Sequence, residues 1–190
     1  MADRLWRRIA DLIERFVPRP QMPAADTVSL RLARPDDEPF LLAMLFRAAH
    51  GDDDTDARPE HLLGMPALAR YVVGFGVEGD LGIVAEAPEG PVGAAWVRLL
   101  AGNARGYGWV ADDTPELAIG VVRGYVGRGV GTRLMSELLA RARGRFPALS
   151  LSVRRENPAR RLYLRLGFVP HAEVVNRVGG LSDTMVLRFA

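Results

Sequence analysis

Residues Pro115 to Arg143 read PELAIGVVRGYVGRGVGTRLMSELLARAR, and this run narrows the fold more than any other part of the chain. Leu117, Ile119, Val121 and Val122 give an apolar, β-branched strand pattern. A loop with Gly124, Gly127, Gly129 and Gly131 follows, and then Val130, Leu134, Leu138 and Ala142 recur at helical spacing along one face. Strand, glycine loop and helix start together make a site for a phosphorylated ligand. The first turn of a helix leaves backbone N–H groups unpaired, and the aligned peptide dipoles place partial positive charge there. Glycines remove the β-carbons that would hold a pyrophosphate away from those donors.

Spacing separates the glycine loops that could do this. A Walker loop needs Lys before Ser or Thr after its last glycine. Gly124 and Gly129 have the right interval, but Val130-Gly131 follows and the chain contains no lysine. A dinucleotide fingerprint needs G-x-G-x-x-G with an acidic residue about 20 positions on. Gly127, Gly129 and Gly131 instead form G-x-G-x-G, and Glu156 lies too far along.

A second segment follows in order. Leu149 to Val153 alternates like a half-buried strand and runs into Asn157-Pro-Ala-Arg-Arg-Leu-Tyr-Leu-Arg-Leu-Gly-Phe168. Asn157 suits an N-cap, Pro158 the first helical position, and Gly167 a left-handed helix end. Leu162 and Leu166 share a face with Phe168 near them, so Tyr163 is expected to point about 100° away from that core face.

The segment Val126-Gly127-Arg128-Gly129-Val130-Gly131 resembles the coenzyme A loop of the GNAT (GCN5-related) N-acetyltransferase superfamily, whose signature is Arg/Gln-x-x-Gly-x-Gly/Ala. Val126 stands where the family usually has Arg or Gln, yet a backbone cradle needs only the glycines. The pattern N-P-A-x-x-L-Y-x-x-x-G-F is similar to the family's second cofactor motif. The resemblance spans roughly residues 28 to 190, and the acceptor-binding portions carry no diagnostic motif.

This resemblance implies an α/β (α+β) fold: a mixed, mostly antiparallel central sheet flanked by helices, like the acyl-CoA N-acyltransferases. It implies a gap between the strands ending near Val122 and beginning near Leu149, with coenzyme A wedged into it. Acetyl-CoA would be the co-substrate, and its acetyl group would pass directly to a primary amine of a small molecule or peptide. Backbone amides around Val121 and Val122 would hold the pantetheine and polarise the thioester. Val126, Gly127, Arg128, Gly129, Val130, Gly131 and Thr132 would receive the pyrophosphate. Arg128 and Arg133 either pair with phosphates or are solvated charge. Asn157 either contacts the cofactor or only caps its helix.

The chemistry sets two demands. A lysine-like amine with pKa near 10.4 is about 3.5 units from neutrality at pH 7, an obstacle of roughly 4.6 kcal/mol. Glu116 is the candidate base, because the family often keeps a carboxylate there, with Asp112 and Asp113 as alternatives. The leaving thiolate needs a proton. Tyr163 is the candidate acid by motif position.

Composition excludes several other classes. The chain has no cysteine, so disulfides, thiolate metal sites and a cysteine-linked acyl-enzyme are ruled out, which favours direct transfer. His50, His61 and His171 lack a ligand spacing, and no metal is expected. A net charge of +2 is too small to argue for nucleic acid. No apolar run approaches the ~20 residues of a membrane span. A cytoplasmic protein is expected.

Along the chain, residues 1 to 17 read as an amphipathic helix with Leu5, Ile9, Leu12 and Phe16 in one stripe. It would dock on its own domain or on a second subunit as a homodimer contact, or meet a membrane surface or partner. Residues 18 to 27 form a proline-rich linker, and 28 to 190 the catalytic domain. Strands are expected at Val28–Ala33, Leu81–Glu86, Val92–Leu100, Phe168–Arg177 and Asp183–Phe189, and helices at Phe40–Ala49 and Leu62–Phe75. Asp52, Asp53, Asp54 and Asp56 make an acidic loop that either attracts a cationic amine or is simply solvated. Tyr71, Trp96, Tyr107 and Trp109 line the pocket or fill the core. Two other functions stay open: an acyl-CoA-binding module without catalysis, and an acyltransferase with a different acyl donor or a hydroxyl acceptor.

Overall fold

In the computed structural model, the structure describes residues 27–50, 59–176 and 179–189. The expected helix over residues 1 to 17, the linker before Thr27 and the four aspartates of the acidic loop lie outside the described residues. Within them, seven strands form a single sheet: β1 (Ser29–Leu32), β2 (Leu81–Ala87), β3 (Gly90–Arg98), β4 (Glu116–Val121), β5 (Ala148–Arg154), β6 (Val169–Val175) and β7 (Leu181–Arg188). Their spatial order is β1-β2-β3-β4-β5-β7-β6. All neighbours are antiparallel except β4 and β5, which run parallel.

Helix α1 (Glu38–His50) covers one face of the sheet; α3 (Val130–Ala142) covers the other, against β2 to β4. The spacing read from the sequence explains the second contact. Val130, Leu134, Met135, Leu138 and Ala142 are all buried, one stripe of α3 turned to the sheet. Complete burial of Leu134 and Leu138 stabilises the fold by about 1.5–3 kcal/mol each. On the opposite face Leu41, Met44 and Leu45 of α1 pack with Leu62, Val72 and Trp96. Gly120 has Met44 against it, and a β-carbon there would come within 2.5 Å of the Met44 carbonyl oxygen. The glycine in β4 lets α1 sit directly on the strand.

The expected helix over Leu62–Phe75 is not formed. In its place stand a 3-10 segment (Pro59–Gly64), the short helix α2 (Pro66–Ala69) and a series of turns from Arg70 onward. Pro66 lacks the N–H a continuous helix would need, and Gly74 and Gly76 take positive φ. The carbonyls of Arg70, Val73 and Gly74 accept hydrogen bonds from the guanidinium of Arg98, which also pairs with Asp80 at 3.0 Å.

The parallel junction positions the site. β4 and β5 pair at Glu116 and Ser150, where Ser150 N–H donates to the Pro115 carbonyl, and then part. A wedge therefore opens toward the C-terminal ends of both strands, on the side where α3 begins.

Candidate active site

A cavity of about 960 Å³ fills this wedge. Its walls are Leu117 to Val121 of β4, Leu151 to Arg154 of β5, the glycine loop, and Tyr163 with Leu162 from helix α4 (Arg160–Arg165). This is the gap expected between the two strands.

The glycine loop meets the cavity with Val126, Gly127, Gly129, Gly131 and Thr132. Gly127 and Gly129 have φ of +77° and +81°, and a β-carbon at either would touch nothing within 4 Å. Their backbone conformation requires glycine; crowding does not. Gly131 differs. Its φ is not left-handed, and a β-carbon there would find only ordinary contacts, 3.8 Å or more away. Neither fold nor strain explains a glycine in the first turn of a helix, where it costs stability. Gly131 lines the cavity, and alanine, which the coenzyme A loop signature also admits there, would fit beside it. The α3 ladder begins with Arg133 N–H bonded to Gly129 O at 3.0 Å, so the amides of Val130, Gly131 and Thr132 precede it. These residues fit a diphosphate.

The pantetheine expectation needs one correction. Val122 N–H is committed to the Val92 carbonyl at 2.8 Å. In an antiparallel ladder bonding alternates residue by residue, so the amides of Ile119 and Val121 face away from β3, into the wedge. Val121 stays in the candidate set. Val122 leaves it, and Ile119 joins. The sequence carried no signal for this, since the alternation depends on how β3 and β4 align. Arg133 is also displaced: its guanidinium donates to the Val28 carbonyl at 2.8 Å, and it is not a cavity residue. Arg128 lies over the Tyr125 ring, 5.8 Å from its centroid, and does not line the cavity.

Asn157 lines the cavity and also accepts from Ala159 N–H at 2.9 Å, so its side chain caps the turn leading into α4. Gly167, at φ +92°, ends that helix in the left-handed conformation, and Phe168 N–H reaches back to the Tyr163 carbonyl at 3.0 Å. Tyr163 is 6% exposed, more buried than Leu162 or Leu166, which corrects the expected orientation. Only a short helix forms here, and Tyr163 is the residue it turns inward. Its ring belongs to the core and to the cavity wall together. No described residue hydrogen-bonds its hydroxyl. Burial pushes the phenol well above its ordinary pKa, so it stays protonated.

Glu116 occupies a different setting. It is 1% exposed and does not line the cavity. Oε1 accepts from Gly106 N–H at 2.7 Å; Oε2 accepts from Tyr71 Oη at 2.6 Å and Gly108 N–H at 2.7 Å. Burial raises its pKa, against the opposing effect of these donors. Asp112 is engaged by Trp109 Nε1 and Arg105, Asp113 by Thr114 Oγ1, and neither reaches the cavity. Among the described lining residues the charged ones are Arg47, Arg154 and Arg165. The aromatic residues divide. Trp96 is wholly buried and donates to the Tyr71 carbonyl at 2.8 Å, whereas Tyr71 and Tyr107 line the cavity. Trp109 carries the Arg105 guanidinium 3.8 Å from its ring centre.

Among the described residues no cluster of His, Asp or Glu could hold a metal ion, and no helix is long and apolar enough to cross a membrane.

A comparison with protein-family models matches residues 78–170 to the acetyltransferase (GNAT) domain. No curated protein matches the sequence significantly. Among solved structures, the ribosomal-protein-alanine N-acetyltransferase of Brucella melitensis aligns at a TM-score of 0.60 with 22% identity, covering 85% of this chain and 99% of that one. A Salmonella typhimurium protein assigned as an acetyltransferase, solved with its cofactor acetyl-CoA, aligns at 0.60 with 20% identity, over 86% and 95% of the two chains. A spermidine N-acetyltransferase chimera from Vibrio cholerae aligns at 0.57 with 17% identity, over 85% and 95%. At these identities the structures establish a shared fold. The matched domain model spans the parted strands, the glycine loop and the α4 motif together, and residues 78–170 therefore form an acetyltransferase (GNAT) domain.

Proposed function

We propose that this protein is an acetyl-CoA-dependent N-acetyltransferase that passes an acetyl group directly to a primary amine of a small molecule or peptide. The observation that carries the reading is the wedge between β4 and β5, which joins the open α3 amides at one end to a buried, protonated tyrosine. The related folds support an amine acceptor, since their names specify spermidine and a ribosomal-protein alanine.

The co-substrate would supply the activated acetyl group as its thioester. The chain supplies the rest. Amides of Val130, Gly131 and Thr132 hold the diphosphate end, with Gly127 and Gly129 shaping the turn. Amides of Ile119 and Val121 face the pantetheine arm and orient the thioester. Much of the acceleration comes from holding amine and thioester together, for which effective molarities are large. Tyr163 donates a proton to the departing sulfur, and the proton that the amine nitrogen loses as the amide forms restores the phenol.

Thiol release from acetyl-CoA, measured across a panel of amines, tests this. Release that depends on the acceptor is expected. Acetyl-CoA binding without acceptor-dependent release would replace the reading with a non-catalytic acyl-CoA-binding module. Release with alcohols alone, or with longer acyl donors alone, would move the protein to a different acyltransferase class.

A further inference from the structure

Two side chains capture three consecutive backbone amides beside the cavity. Gly106 and Gly108 donate to Glu116, and Tyr107 N–H donates to Tyr71 Oη at 2.7 Å, while that hydroxyl itself donates to Glu116. The two glycines are needed for different contacts. A β-carbon at Gly106 would fall 2.3 Å from Tyr71 Oη and 2.6 Å from Glu116 Oε2. A β-carbon at Gly108 would fall 2.7 Å from the Leu151 carbonyl carbon and 2.8 Å from Ser152 N. The segment therefore presses against β5 just past the point where it leaves β4. Between the glycines, Tyr107 lines the cavity and remains 42% exposed.

We propose that Glu116 and Tyr71 form a latch holding Gly106–Tyr107–Gly108 against β5, so that Tyr107 becomes the cavity wall that selects the acceptor. Both latch members are positioning residues. The Glu116 carboxylate has its oxygens turned to chain donors and away from the cavity, and it takes no proton from the amine. The acid side of the pH–rate profile then belongs to the acceptor's own ammonium. The kinetic part of this inference rests on the acetyltransferase reading; the latch itself does not.

Hydrogen exchange and kinetics on the full chain test it. In Glu116→Gln the amide nitrogen must face at least one of the former donors, and in Tyr71→Phe the ring stays while its hydroxyl goes. Both variants should exchange the amides of residues 106–108 at least about tenfold faster than wild type, as local opening becomes easier. Both should lose roughly 10- to 100-fold in kcat/KM, mainly through the acceptor KM, because the wall is misplaced. The acid limb should persist in Glu116→Gln and shift with the pKa of the amine used. Tyr107→Ala should reorder preference across the amine panel. Unchanged exchange in both latch variants overturns the latch. Loss of the acid limb in Glu116→Gln, with kcat collapsing and exchange unchanged, makes Glu116 the base. If wild type acetylates no amine, the acetyltransferase reading fails, and the exchange experiment still decides whether the latch exists.

Discussion

Tyr163 meets Phe168 edge-on, with ring centroids 6.0 Å apart and planes inclined by 62°, across the left-handed turn at Gly167. This packing fixes the tyrosine ring without engaging its hydroxyl. Tyr163→Phe should therefore keep the edge contact and leave thermal stability near wild type, since no described hydrogen bond is removed. Turnover should fall by about 10²-fold, as for loss of a general acid, with little change in the KM for acetyl-CoA. Steady-state kinetics paired with a melting curve checks both halves. An unchanged kcat would remove Tyr163 from the proton-donating role.

Gly129 and Gly131 should respond oppositely to alanine. Gly131→Ala meets no close contact and gains helix propensity, up to about 1 kcal/mol, so the fold should be stabilised while acetyl-CoA binding stays near wild type, as the Gly/Ala of the loop signature implies. Gly129→Ala forces a β-carbon into a left-handed conformation at a cost of about 1–2 kcal/mol, so stability and binding should fall together. Calorimetric titration and melting of both variants would separate helix propensity from backbone strain. Loss of stability in Gly131→Ala, or unchanged binding and stability in Gly129→Ala, would contradict this division of roles.

Asp183 of β7 carries a pH prediction. Its side chain is 3% exposed, and it accepts from Arg155 Nε at 2.9 Å and Arg160 Nε at 2.8 Å, tying the end of β5 to the start of α4. Hydrogen bonds from Arg155, and then from Arg160, hold its pKa below the usual carboxylate value. A lowered folded-state pKa means stability that is complete above the unfolded value, near about 4, and lost as pH falls through the folded value. Asp183→Asn should lower the melting midpoint at neutral pH. The gap from wild type should narrow in acid, which melting curves across a pH series would show. A gap independent of pH would mean that shape, and not charge, is what Asp183 contributes.

The parts of the site that could be read from the sequence are those made by neighbours in the chain. The strand into Val121, the turns at Gly127 and Gly129 and the α3 stripe each depend on a few adjacent residues, whereas Asn157 holds only the turn before a helix that starts later than expected, at Arg160 with Ala159 as its N-cap. What could not be read depends on distant partners. Nothing near Glu116 in sequence shows that Tyr71, 45 residues earlier, will bond to it. The direction of the Ile119 and Val121 amides needed the β3 register. The Leu62–Phe75 helix was misread because periodicity cannot report that its carbonyls have a better partner. Arg98, from the far side of a hairpin, takes them.

That arginine also links stability to the acceptor wall. Arg98 holds the Arg70, Val73 and Gly74 carbonyls and pairs with Asp80, whose other oxygen accepts from Gly76 N–H at 2.9 Å. Tyr71 sits inside the turns so fixed. With both ionic side chains nearly sealed from water, removing one partner leaves the other without its counter-charge. Arg98→Met should therefore cost roughly 3–5 kcal/mol, in the range for breaking a buried pair. Arg98→Lys should recover only part of this, because three donors on a flexible stem cannot reproduce a planar fork bonded to a carboxylate and three carbonyls. Urea unfolding would measure both. At denaturant-free conditions where each variant is still folded, the acceptor KM should rise before the acetyl-CoA KM does, since the turns carry Tyr71 and the cradle is built on α3. Equal effects on the two constants would show that Arg98 supports the fold as a whole and not the acceptor wall in particular.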